Sequence, residues 1–292
     1  MAQCNFCPRQ CRVDRDTDAG FCGMKSKPVV ARAALHFWEE PCISGGNGSG
    51  AVFFSGCNLR CVFCQNYDIS TCGSGKEISS GRLREIYQDL IAQKADNINL
   101  VTPMHFSDAV LESLTPPPGV PVIINTNGYE SVDNLRRFEG KADIYLPDMK
   151  YSDDQAAERY SHAPDYFEKS CNAIKEMYRQ TGKYQLDEST GLLKSGVIIR
   201  HLVLPGMLEN TRGVIDFVAK NFAPGEVLFS LMRQYIPCGK AEDYPEINRK
   251  TSDEEYETAV EYLFQSGIED GFLQEKESAG SEFIPAFDGT GV

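Results

Sequence analysis

Seven of this chain's eleven cysteines crowd into two short stretches, and that crowding constrains its 292 residues more than any other feature. Cys4, Cys7, Cys11 and Cys22 are spaced C-x2-C-x3-C-x10-C, and Cys57, Cys61 and Cys64 are spaced C-x3-C-x2-C. The opening residues, MAQCNFCPRQC, lack the apolar centre of a secretory signal. Close cysteines in such a chain read as metal ligands or reactive thiols before they read as disulfides. An odd total also argues against complete pairing. Cross-links are not required either, because a chain of about 300 residues buries roughly 75% of its unfolded surface. Cys42, Cys72 and Cys171 read as plain thiols, and so does Cys238, although it follows a strand whose end should face the site.

Charge narrows the function. With 29 basic and 42 acidic residues the net charge is −13, which speaks against a phosphate-binding face and so against nucleic acid. No apolar run reaches the ~18 residues of a membrane span. The expectation is a cytoplasmic protein without membrane contact.

Residues 1–50 are rich in Cys, Gly and Arg with little periodicity, and are expected to form a small cysteine-rich N-terminal module. Residues 51–292 carry six near-continuous apolar runs, AVFFSG, INLVT, PVIINTNG, ADIYLPD, GVIIRHLVLPG and EVLFSLM, separated by helical patterns. That alternation predicts βαβ units and a parallel sheet covered on both faces. Helix starts are signalled by Ser152 with Gln155, by Asn210, and by Ser252 with Glu255. A partial (β/α)6 barrel and a doubly wound sheet both satisfy this pattern.

The stretch SGCNLRCVFCQN follows directly on the first of these strands. Three thiolates within eight residues can hold one corner of a small iron–sulfur cluster, and no fourth cysteine is near until Cys72. A metal centre held by three protein ligands keeps one position open, as catalysis requires. The N-terminal four suit a closed site, either zinc or a second iron–sulfur cluster; four reduced thiols are the plain alternative. SGGNGSG precedes a strand and lacks the Lys-Ser/Thr of a phosphate loop, so it reads as a turn. His36 reads as a packing residue, His162 as a surface or helix-start residue, and His201, mid-strand in RHLVLPG, as one that packs or acts with equal expectation. Trp38 beside Phe37 reads as an anchor for the N-terminal module.

CNLRCVFC, with Phe63 before its last cysteine, resembles the signature of the radical S-adenosylmethionine (SAM) superfamily. GNGSGAVFFSGCNLRCVFCQN, NTNG (125–128), LPDMK (146–150) and RHLVLPG (200–206) are together similar to the pyruvate formate-lyase activating enzymes. The resemblance implies a partial (β/α)6 radical-SAM-type barrel. It implies that Cys57, Cys61 and Cys64 hold three irons of a [4Fe–4S] cluster whose fourth iron binds SAM. Phe63, Asn127, Lys150 and Thr102 would then contact SAM, with His105 a further candidate, and Asp148 and Thr126 would help bind a monovalent cation. The implied activity is reductive cleavage of SAM to a 5′-deoxyadenosyl radical for hydrogen abstraction. An electron donor of flavodoxin or ferredoxin type and a glycyl radical enzyme, or another protein substrate, would be the partners. Three positions depart from the activating enzymes: Asn125 replaces an Asp, VTPMHF stands where GGE is usual, and Gln234 and Tyr235 stand where a His is usual. A radical SAM enzyme acting directly on a peptide or small molecule is therefore a second reading. A non-catalytic iron–sulfur or zinc protein is a third.

Overall fold

The computed structural model describes residues 3–276, 280 and 284–292. Its chain opens with β1 (Val29–His36), α1 (Pro41–Ser44), β2 (Ser49–Phe54), α2 (Tyr67–Ser70), β3 (Lys76–Glu77), α3 (Ser80–Ala92) and β4 (Ile98–Val101). It continues through α4 (Ser107–Ser113), β5 (Val122–Thr126), α5 (Val132–Arg136), β6 (Ile144–Pro147), α6 (Asp154–Ser161) and α7 (Tyr166–Thr181). β7 (Gln185–Leu186), β8 (Leu193–Leu202), α8 (Leu208–Asn221), β9 (Leu228–Met232), α9 (Asp253–Gln265) and β10 (Gly271–Leu273) follow.

The six apolar runs became β2, β4, β5, β6, β8 and β9, neighbours in that order and all parallel. Every residue of β2, β4, β5, β6 and β9 is buried, as two-sided cover demands. This strand order never reverses, which excludes the doubly wound alternative with its switch point. β2 and β9 are not paired with each other. The sheet therefore curls into an open, partial (β/α)6 barrel. Its main core lies between sheet and helices, where Leu83, Ile86, Tyr87 and Leu90 of α3 meet Val52, Ile98 and Leu100.

Four strands extend the sheet beyond the barrel: β10, β1, the two-residue β3 paired antiparallel with β1, and β7 paired antiparallel with β8. β10 adds parallel to β9, and β1 pairs antiparallel with β2 from Val30↔Phe54 to His36↔Ser49. β1 lies within residues 1–50 yet belongs to the sheet; its Ala-rich sequence, VVARAALH, carries too little apolar contrast to announce a strand. The outer edge of β1 is taken up by β3 and by the end of the chain, with Ala33 N–H donating to Thr290 O (2.9 Å) and Gly289 N–H to Ala31 O (3.0 Å).

Helix starts follow the local chemistry, with two corrections. Ser252 and Glu255 form the reciprocal capping box. α6 is capped by Asp153, not Ser152, because the Asp153 carboxylate accepts from Gln155 N–H (2.8 Å). Asn210 lies inside α8, where its amide oxygen accepts from Ser152 N–H (2.8 Å) and its NH2 donates to Lys150 O (3.0 Å). It ties two segments together and caps no helix.

Candidate functional site

The cluster-type loop leaves β2 at Ser55 and passes Gly56 in the left-handed region, at φ +81°. A side chain there would strike Met24 and lie 2.8 Å from Cys22 O, so only glycine lets the N-terminal segment pack on the loop. The three thiols then converge, each fixed by a donor from a different element. Cys57 Sγ accepts from Asn127 Nδ2 (3.3 Å), just past β5; Cys61 Sγ accepts from Ser161 Oγ (2.9 Å), at the end of α6; Cys64 Sγ accepts from Ser70 Oγ (3.3 Å) in α2. Burial pushes the Cys61 thiol up to about 12 and raises Cys64 as well. Iron binding would have to remove those protons, since the thiolate is the ligand.

No three His, Cys, Asp or Glu side chains among the described residues surround a point that a single metal ion could occupy. Thiols that each bind a different iron of a cluster need not meet at one point. The donor set of Cys57, Cys61 and Cys64 therefore suits a cluster better than a mononuclear ion.

Beside the thiols lies a cavity of about 830 Å³, lined by the three cysteines together with Phe63, Thr102, Asn127 and Lys150. The fold thus gathers these seven residues from β2, β4, β5 and β6 onto one wall system. Asn127 is set by its turn: its Oδ1 accepts from Tyr129 N–H (3.0 Å) and its NH2 also donates to Asn58 Oδ1 (2.6 Å). Gly128 (φ +79°) makes the turn, because a side chain there would collide with Asp148 O. Thr126 Oγ donates to Glu130, whose other oxygen is buried without a hydrogen-bond partner. Burial, opposed by the Thr126 bond, pushes the Glu130 carboxyl up to about 8.

A charged network crosses the cavity floor. Arg200 donates from Nε to Asp148 (2.8 Å), from Nη1 to Glu39 (3.0 Å) and from Nη2 to Asn125 Oδ1 (2.8 Å). Lys150 Nζ donates to the other Asp148 oxygen (2.7 Å). Burial would raise the Asp148 carboxyl, but Arg200 and Lys150 outweigh it and hold it below the usual range. Two protein cations thus occupy the Asp148 carboxylate, and Thr126 is turned to Glu130. A monovalent cation implied at Asp148 and Thr126 does not fit this donor set.

Several residues stand elsewhere than expected. His105 is buried with its ring nitrogen on Ser55 O (2.8 Å), bracing the loop entrance. His201, for which the sequence leaves packing and acting equally open, packs between Met149 O (2.7 Å) and Thr211 Oγ (3.0 Å). His162 is exposed, as a surface residue should be, and it ends α6 in a left-handed conformation instead of starting a helix. Trp38 and Phe37 do not anchor the N-terminal module; they are 65% and 50% exposed and line the cavity. Glu39, Glu40 and Arg200 escaped the sequence reading as site residues. A lone arginine inside the apolar run GVIIRHLVL was the available signal.

The N-terminal cysteines form their own group, with Cys4, Cys7 and Cys22 buried and Cys11 half-buried. Cys11 Sγ accepts from Phe21 N–H (3.2 Å), and Arg15 Nη1 lies 3.5 Å from Cys4 Sγ. This segment is fastened to the cluster-type loop by Arg9, which donates to Asn58 O (2.8 Å), Ser161 O (3.0 Å) and His162 O.

Residues 44–113 match the family of 4Fe-4S single cluster domains, a span that contains β2 and the whole three-cysteine loop. Over 269 residues the chain is 34% identical to a protein of Methanocaldococcus jannaschii, Uncharacterized protein MJ0674, covering 88% of this chain and 73% of that one. The chain belongs to the family of MJ0674. Its fold is similar to that of SuiB of Streptococcus suis bound to S-adenosylmethionine, with TM-score 0.51 and 15% identity over 75% of this chain and 48% of that one. A domain of pyruvate-formate lyase-activating enzyme from Bacteroides vulgatus overlays with TM-score 0.39 and 14% identity, covering 59% of this chain and 91% of that domain. Among the described residues, no helix is long and apolar enough to cross a membrane.

Proposed function

We propose that this MJ0674-family chain is a radical SAM enzyme whose Cys57, Cys61 and Cys64 hold a [4Fe–4S] cluster beside a SAM-sized cavity. The carrying observation is the convergence of those three thiols, each hydrogen-bonded from a different element, on a cavity of about 830 Å³. When bound, cluster and SAM supply a 5′-deoxyadenosyl radical for hydrogen abstraction. The protein's own part is positioning and exclusion of water. Asn127 fixes the Cys57 thiol and presents its turn to the cavity. Phe63 closes one wall against Tyr235, at a ring separation of 5.7 Å. Thr102 at the end of β4 and Lys150 past β6 face the same space, and Lys150 stays cationic because the Asp148 carboxylate outweighs its burial.

The substrate follows one of two lines. An activating enzyme would act on a glycine backbone in a partner protein and be spent in proportion to it. A direct catalyst would turn over on a peptide or small molecule, a reading favoured by the charged floor within the cavity. Either needs a low-potential electron donor of flavodoxin or ferredoxin type, and we place both in the cytoplasm. The Cys4, Cys7, Cys11 and Cys22 group is a second metal site in this reading, and since no three of its thiols surround one point, an iron–sulfur cluster suits it better than a zinc ion.

The test is anaerobic reconstitution with iron and sulfide, an iron count, then dithionite and SAM with an assay for 5′-deoxyadenosine. Cys61→Ala should abolish product, whereas Cys4→Ala should retain part of it. An intact, reducible cluster that releases no 5′-deoxyadenosine, with or without candidate substrates, would refute the reading.

A further inference from the structure

The carboxylates at the cavity floor outnumber the cations that neutralise them. Asp148, Glu39 and Glu40 face Lys150 and Arg200. Asp148 receives both cations. Glu39 receives Arg200 and, through Oε1, the amide groups of Asn99 and Asn125, each at 3.2 Å. That leaves Glu40, held in place just before α1 by Ile43 N–H (2.7 Å) and Ser44 N–H (3.1 Å), which donate to its carbonyl oxygen. Its Oε2 is fully buried and makes no hydrogen bond, and the nearest cation, Arg200 Nη1, stands 3.9 Å away and is already engaged by Glu39. Ser230 Oγ, on β9, is likewise buried without a hydrogen bond of ordinary geometry, and its polar neighbour is the Glu40 carboxyl itself, which it lowers against the effect of burial. Both residues line the cavity, and Glu40 is only 7% exposed.

A buried polar atom without a partner costs about 1–3 kcal/mol, and more when it is charged. Two of them side by side on one cavity wall mark a place where a ligand completes the set. We propose that Glu40 and Ser230 form the receptor for a primary ammonium group on the substrate. This rests on the enzymatic reading above, since it names the substrate class of that same cavity. The chemistry selects the group. An ammonium ion offers three donors and no acceptor, and it meets one carboxylate oxygen and one hydroxyl oxygen. The stem is apolar: Phe272, Leu202 and Met232 line the way, and Trp38 stands at the exposed end. A free alkylamine and a lysine side chain both present an ammonium on such a stem.

Calorimetric titration of the cluster-loaded protein tests this without turnover. Hexylamine is compared with hexanol, and Nα-acetyl-lysine amide with Nα-acetyl-norleucine amide. Tenfold or tighter binding of the ammonium member in either pair is expected, and the pair that shows it assigns the source. Glu40→Gln should erase the preference, and Ser230→Ala should reduce it at least threefold. Equal binding within both pairs overturns the proposal, as does a preference that survives Glu40→Gln. If Glu40→Gln does not fold, a preference unchanged in Ser230→Ala overturns it. The same preparation, assayed for 5′-deoxyadenosine without amine, separates the two claims. Ammonium preference without SAM cleavage refutes the enzymatic reading alone, and cleavage without ammonium preference refutes only this one.

Discussion

Replacing Glu130 by Gln should make the protein more stable in neutral and alkaline buffer while leaving it almost unchanged near pH 4. The carboxyl is 3% exposed, its single hydrogen bond comes from Thr126, and burial moves it from an ordinary 4.5 to about 8. An acid raised in the folded state keeps its proton there while the unfolded chain has already released it. The stability this contributes is complete below about 4.5 and is lost as pH climbs through about 8. At ~1.4 kcal/mol per pH unit, the span amounts to a loss on the order of 4 kcal/mol by pH 8 and above. Gln has the shape of the protonated acid and cannot ionise, so the variant escapes that loss. Urea unfolding of both proteins from pH 4 to 9, under reductant and without oxygen, reads the difference directly. His105 and His201, each lowered by burial to about 4, titrate alike in both chains and cancel from it. Parallel stability curves across pH 4.5–8, or a variant that is less stable at pH 8, would refute the reasoning. A carbonyl stretch of protonated carboxylic acid at pH 7, present in the wild type and missing from Glu130→Gln, is the spectroscopic counterpart.

Three further outcomes follow from the contacts around the thiols. Arg200→Leu strands Asp148 and Glu39 beside Lys150 alone, and should cost roughly 3–5 kcal/mol in urea unfolding at pH 7. The deficit should shrink as acid protonates the freed carboxylates, and a deficit that grows in acid would contradict the network. Ser161→Ala removes the donor to Cys61 Sγ and leaves Tyr151 Oη, 2.8 Å from that hydroxyl, without its partner. It should shift the cluster's reduction potential to more negative values in an EPR-monitored titration, because hydrogen bonds to sulfur favour the reduced form; an unmoved potential counts against that role. Arg9→Ala cuts three bonds to the carbonyls of Asn58, Ser161 and His162. It should speed amide exchange over residues 57–64 and lower iron content, and unchanged exchange would show that the loop stands unaided.

The barrel was legible because buried parallel strands leave unbroken apolar runs, and because three cysteines at fixed spacing mark one loop. What stayed hidden depends on chain reversal. Asn127, Lys150 and Thr102 could be proposed from short motifs at strand ends. Glu39 and Glu40 could not, since they lie outside any motif and reach the floor only once β1 has added to β2. Asn210 reads as a cap by residue type, yet its amide satisfies Ser152 N–H across two helices. Ser161 carries no local signal at all, and its role exists only because α6 ends over Cys61.

An open barrel leaves two strands whose outer backbone groups could hydrogen-bond to another chain. Here β10 spans only three residues, and the outer edge of the longer β1 is occupied by β3 (Lys76–Glu77) and by Gly289 and Thr290 of the same molecule. A partner peptide that recognises proteins by adding a strand would find no long free edge among these residues. Any protein this chain acts upon must be read through side chains at the mouth of the cavity, where Trp38 and Phe37 are the largest exposed apolar surfaces.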